Sequence, residues 1–178
     1  MRAYKTVLSI LVCGLALELP ATAGSANAPA KLNSIVAKSA SETPSGYEVP
    51  RFVSLKYGNV NGRTGPGQGH PIKWNYSRKG LPVIIVAETE MWRKVRDTNG
   101  DESWMHKRTL SGERMAITLA DVTIRSKPSN ASKGKAIASK DALLVLEKCD
   151  DTGWCAIKAS SGHSGWVKRR ALWGAQTL

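Results

Sequence analysis

The sequence has no convincing helical period, only one phenylalanine (Phe52), and 14 acidic residues against 26 lysines and arginines. Each shortage closes off a class of protein. Without an apolar period of 3.6 residues sustained beyond about one turn, a helical fold is excluded. The acidic residues are scattered and form no facing pair for general acid–base chemistry. The three histidines, His70, His106 and His163, share no metal spacing. No catalytic constellation is visible, and neither a cofactor nor a metal is expected. Past the leading segment, no apolar run approaches the roughly 20 residues that cross a membrane.

What is present begins with that leading segment. Arg2 and Lys5 give a positive start, an apolar run from Thr6 to Leu19 is broken only by Glu18, and Pro20 precedes Ala21-Thr22-Ala23. This is the layout of a secretory signal peptide, residues 1–23, cleaved after Ala23. The run is too short for a membrane anchor. As a lipoprotein signal it has Val12 before Cys13, where a small residue is wanted. The exported chain, secreted or periplasmic, keeps about 155 residues, enough for one ordinary domain or two small ones. Its formal charge is +11, the +12 of the whole chain less the net +1 of Arg2, Lys5 and Glu18. Such a surface favours anionic partners. For an exported protein these are wall polymers, lipid head groups or acidic proteins, and nucleic acid is not expected. A general solubility charge is the alternative.

Residues 24–48 are rich in Ala, Ser, Asn and Pro and poor in large apolar groups, so ordering them is not offset by burial. They are expected to form a flexible, disordered linker. From Val49 short apolar runs alternate with turn residues: Phe52 to Leu55, Leu81 to Ala87, Trp92 to Arg96, then Asp97-Thr98-Asn99-Gly100 ahead of Trp104-Met105. An Asn-Gly pair between apolar runs marks a hairpin. Short strands at regular spacing predict a small all-β barrel or sandwich. The chain also overlays itself when shifted by 62 positions, which puts Trp92 on Trp154. In that register Val60 falls on Val122, Arg63 on Arg125, Pro66 on Pro128, Gly100 on Gly162, Trp104 on Trp166 and Leu110 on Leu172. A period this long is a domain duplication. The units run 49–112 and 113–178, packed together across a short connection near Gly112 to Ala116.

The first unit reads Asn61-Gly62-Arg63-Thr64-Gly65-Pro66-Gly67, then Met91-Trp92-Arg93-Lys94-Val95, then Ser103-Trp104-Met105 and Leu110. The second reads Thr123-Ile124-Arg125-Ser126-Lys127-Pro128, then Gly153-Trp154-Cys155-Ala156-Ile157, then Gly165-Trp166-Val167 and Leu172. This order resembles the bacterial SH3-like (SH3b) family, with its N-x-R-x-G-P, G-W-x-x-V and G-W-V motifs and closing leucine. The departures are Met91 and Ser103 in glycine positions, and a second unit without the G-P-G turn. The resemblance implies an all-β fold of two tandem small SH3-like β-barrels. It also implies an aromatic-lined groove for extended peptides, here formed by Tyr57, Trp74, Tyr76, Arg78 and Trp104.

Individual residues carry competing readings. Trp74 and Tyr76 have only Ala136 and Ala138 as counterparts. They suit a contact surface beside Lys73 and Arg78, or else face the second barrel; both readings stand. Trp92, Trp104, Trp154 and Trp166 recur in both units and are expected to pack in the cores. Gly65 to Gly69 lacks the Lys-Ser/Thr end of a phosphate loop and reads as a turn. Cys149 and Cys155 flank a tight turn, and in an oxidising compartment are expected to form a disulfide. A zinc site with His163 lacks a fourth ligand, and a nucleophilic cysteine there lacks an orienting third group.

The expected function is a non-catalytic module that recognises a cell-wall peptide, an anionic envelope polymer or an extended segment of an envelope protein. The resemblance favours peptidoglycan, since such domains often accompany wall hydrolases. The alternative is a regulatory or structural subunit docked on an envelope enzyme or sensor. A third reading is a Cys/His enzyme.

Overall fold

The structure, a computed structural model, describes residues 35–178. The expected signal peptide and the first part of the expected linker lie outside the described residues.

In the first unit β1 (Arg51–Leu55), β2 (Val60–Arg63), β3 (Ile72–Tyr76), β4 (Pro82–Glu88), β5 (Trp92–Arg96), β6 (Glu102–His106) and β7 (Leu110–Ser111) form one antiparallel sheet. Its order is β3-β2-β6-β5-β4-β1-β7. The second unit has β8 (Met115–Thr118), β9 (Val122–Arg125), β10 (Gly134–Ala138), β11 (Leu143–Cys149), β12 (Trp154–Ala159), β13 (Ser164–Lys168) and β14 (Leu172–Trp173). Its order, β10-β9-β13-β12-β11-β8-β14, is the same topology. A single 3-10 turn precedes the last strand of each, Lys107–Thr109 and Arg169–Ala171. The chain is all-β with two tandem SH3-like units, as its motifs imply. Among the described residues the two edge strands of each sheet, β3 and β7 or β10 and β14, make no ladder with each other.

Alternation along each strand sets the cores. Val83 and Ile85 on β4, Val95 on β5 and Met105 on β6 are fully or almost fully buried, and contact Leu55, Val60 and Tyr76 in one cluster. Ile124, Leu144, Ile157, Val167 and Leu172 do the same in the second unit. Each such side chain contributes about 1.5–3 kcal/mol of transfer free energy. The Asn-Gly hairpin forms between β5 and β6. There Asp97 Oδ1 accepts from the backbone N–H of Asn99 (2.9 Å) and Asp101 (3.0 Å), and Gly100 supplies φ +90°. Gly162 does this in the second unit, at φ +85°.

The two units meet through a third cluster. Ile84 lies on the outer face of β4, yet it is fully buried, because Trp173 of β14 covers it together with Phe52. The Phe52 and Trp173 rings meet edge to face at 5.6 Å. The single phenylalanine is thus spent at the junction, against a tryptophan with no counterpart in the first unit, where Ser111 stands.

Residues 35–48, the last part of the expected linker, are tied to this junction. Ile35 packs against the third cluster, and Lys38 bridges to Val49. The Glu42 carboxylate accepts from the Ser39 N–H (2.9 Å) and Oγ (2.6 Å). One branched apolar side chain and local polar contacts suffice to lay the segment on the first unit, which composition averaging does not register.

The disulfide between Cys149 and Cys155 forms, joining directly opposed positions on β11 and β12. The corresponding end of the first unit is closed by charge instead. Glu88, with a fully buried carboxylate, faces both Arg51 and Arg93, the latter at 3.3 Å.

Candidate functional site

The recurring tryptophans do not fill the cores. Only Trp154 is buried, and Trp92, Trp104 and Trp166 are half-exposed. Trp104 lies between the buried Ser103 and Met105, and so points away from the core. Residues directly opposed across a ladder share a face. The register therefore sets Trp104 beside Arg63 and Lys94, and Trp166 beside Arg125. Lys148 Nζ lies 6.0 Å from the Trp166 ring and Lys168 Nζ 5.3 Å from the Trp154 ring. Trp92, the counterpart of Trp154, meets His106 edge to face at 5.4 Å. Both units thus present an outer face with tryptophan beside cation, and one such pair, Trp104 with Arg63 and Trp166 with Arg125, stands at matching positions.

Two further contacts repeat and hold these faces in shape. Arg63 Nη1 donates to the His70 carbonyl at 2.7 Å, and Arg125 Nη1 donates to the Ser132 carbonyl at 2.7 Å. Lys73 Nζ donates to the Glu102 carbonyl (3.0 Å), as Lys135 Nζ does to that of Ser164 (2.5 Å). The arginine of the N-x-R motif therefore braces the loop that follows β2 or β9. Charge balance differs between the faces. Lys94 and Arg96 pair with the Glu102 carboxylate at 2.5 and 2.6 Å. Burial acts to raise Glu102, but these two cations outweigh it and hold the carboxyl below its usual range. Among the described residues every salt bridge lies in the first unit. Ser164 replaces Glu102 in the second, whose outer face carries its cations without a carboxylate partner.

The five residues expected to form a groove do not come together. Tyr57 is exposed on the β1–β2 connection with Lys56 Nζ 5.7 Å from its ring. Trp74 is 44% exposed on β3, opposite Gly62, with Lys73 Nζ 6.0 Å from its ring. A Cβ on Gly62 would meet Ser103 and Tyr76, so this face looks inward, away from the outer face that holds Trp104. Tyr76 is a core residue and not a groove residue. It is buried opposite Val60, and its hydroxyl donates to Asp97 Oδ2 at 3.2 Å. Burial, reinforced by the Asp97 charge, pushes that hydroxyl up to about 12. Arg78 reaches the second unit, where its Nη2 donates to the Asp141 carbonyl at 2.8 Å.

What residue-by-residue reading missed is the outward set: Arg63, Lys94, Arg125, Lys148 and Lys168 beside the tryptophans. The signal was present. Trp92 and Val95, like Trp154 and Ile157, stand three apart, an odd interval that sends them to opposite faces of a strand.

A profile of the bacterial SH3 domain matches residues 56–112 and again residues 120–174. Among solved structures the chain is similar to NlpC2 of Trichomonas vaginalis, with TM-score 0.33 and 17% identity over 71% of this chain and 49% of that one. It is similar also to NlpC1 of Trichomonas vaginalis, with TM-score 0.32 and 14% identity over 70% of this chain and 45% of that one. It spans about half the length of either. No curated protein matches.

Proposed function

The chain belongs to the bacterial SH3 domain family in two copies, and from that membership we propose that it is a non-catalytic binding module of the cell envelope, acting outside the cytoplasm on an anionic wall polymer or wall peptide. One observation supports the ligand class most. The tryptophan–cation pairs recur at matching positions on the outer faces of both units, Trp104 with Arg63 and Trp166 with Arg125. An aromatic ring beside a cation offers an apolar platform and an attraction for an anion at once. Two such platforms on one chain also raise the effective concentration at a repeating polymer.

Co-sedimentation with purified sacculi tests this. The chain is expected in the pellet at low salt and in the supernatant at about 0.5 M, where charges are screened within a few ångströms. Trp104→Ala combined with Trp166→Ala is expected to weaken retention about tenfold, roughly 1.4 kcal/mol. A chain that stays in the supernatant at low salt contradicts the reading.

A further inference from the structure

The duplication supplies its own control for one cavity. In the first unit Tyr76 and Trp74 occupy the end of the sheet beside the β5–β6 hairpin, and Tyr76 closes it through Asp97. In the second unit the matching positions are Ala138, Ala136 and Ala159. Ile124, in the place of Gly62, takes back part of the lost volume, being buried to 1% exposure opposite Ala136. Over these residues lies an open-sided depression of about 870 Å³, reached between β10 and the turn at 160–163.

Three features define what fits there. The floor is apolar, with Ile124, Ala136, Ala138 and Leu144. The rim is cationic: Arg78 and Lys79 arrive from the first unit, Lys158 from β12, and no carboxylate lines the cavity. The third feature is β10 itself. It is the outermost strand and pairs only with β9, so its other edge offers unpaired N–H and C=O groups beside the opening. An extended chain can add to such an edge and drop alternate side chains into an adjoining pocket.

We infer that the second unit holds an acidic peptide in extended form along β10, with a bulky apolar side chain of that peptide in the space Tyr76 fills in the first unit. The site rests on the binding-module reading but is distinct from the outer tryptophan faces. It assigns the two copies different tasks: the first is closed by its own tyrosine, and the second is left open for a ligand.

The test is calorimetric titration of residues 24–178 with an acetylated, amidated hexapeptide alternating aspartate and leucine. The expected result is saturable one-to-one binding. A lysine–leucine counterpart should not bind, and methylation of alternate backbone nitrogens on the peptide should abolish binding, since that removes edge hydrogen bonds. Ala138→Tyr with Ile124→Gly, which recreates the first unit's arrangement, should weaken binding at least about tenfold. Lys79→Ser with Lys158→Ser should weaken it about threefold or more. Trp74→Ala, in the first unit, should leave it unchanged. Equal binding of both peptides, indifference to N-methylation, or uptake by phosphatidylglycerol vesicles in place of peptide overturns the site. The methylated peptide keeps the test valid if the double core variant fails to fold. Retention on sacculi without peptide binding removes this site alone; loss of both removes the binding-module reading as well.

Discussion

Replacing Arg93 with methionine should destabilise the first unit by about 3 kcal/mol. Glu88 has a side chain with no exposure, and its carboxylate faces only Arg51 and Arg93. Neither of its oxygens has a hydrogen-bond partner, and both ion-pair contacts fall on Oε1. At the 3.3 Å separation of Arg93 Nε from Glu88 Oε1, an effective dielectric of about 20 gives a Coulomb attraction of roughly 5 kcal/mol. Desolvation of both ions offsets much of that in the intact pair. It is not refunded when one partner is removed, and buried pairs broken from one side lose about 3–5 kcal/mol. Arg51 remains beside Glu88 in the variant, which places the expectation at the lower end. Arg93 also donates to the Thr89 carbonyl at 2.6 Å, a bond lost in the same variant. Glu88→Leu combined with Arg93→Met should recover stability to within about 1 kcal/mol of the wild type, because the buried carboxylate leaves with its partner and the remaining Arg51 is partly exposed and still donates to the Glu48 carbonyl. Equilibrium urea unfolding of the two single variants and the double variant closes the cycle. A cost below about 1 kcal/mol for Arg93→Met, or no recovery in the double variant, would refute the reasoning.

Reduction of the Cys149–Cys155 disulfide, which closes a short loop of sequence separation 6, should destabilise the second unit by about 2 kcal/mol, read as a lower urea midpoint in dithiothreitol. Trp173→Ala should cost about 3–5 kcal/mol by emptying the junction with Phe52 and Ile84; calorimetry should then resolve two melting transitions. Tyr76 has its folded value raised to about 12 from 10.0. It therefore contributes stability that is complete below about pH 10 and lost as pH rises towards 12. Ultraviolet titration should show a late tyrosinate step that Tyr76→Phe removes, and a step finishing near pH 10 would contradict the burial described. Gly174→Ala should destabilise the chain markedly, since its φ is +101° and an added Cβ would lie 2.3 Å from the Met115 carbonyl oxygen.

Duplication and strand content were legible because they depend on intervals along the chain. Trp92 to Trp154 and Gly100 to Gly162 preserve one offset, and a turn that needs positive φ keeps its glycine in both copies. The direction of Trp92 and Trp154 was legible too, through their odd spacing from Val95 and Ile157, once alternation is given more weight than the apolar character of the ring. Tyr76 was harder. Its burial depends on lying opposite Val60 and beside Gly62, a register that no local pattern announces. Glu88 and Arg93 look like surface charges in sequence. They are buried because the Arg51 strand pairs alongside β4 and brings a third charge. Arg78 was read as a groove residue because it flanks aromatics. Its guanidinium instead crosses to Asp141, a contact set by how two units dock. In sequence the alanines at 136 and 138 were only the counterparts of Trp74 and Tyr76; their smallness gains meaning beside the buried Tyr76.

The most direct check on the outer faces as binding surfaces is to follow the indole N–H resonances of the chain by NMR while adding soluble wall fragments. The resonances of Trp104 and Trp166 should shift in a saturable, salt-sensitive way, while that of Trp173, buried at the junction, stays fixed. Indole signals at Trp104 and Trp166 that remain still at saturating fragment concentration would contradict the account.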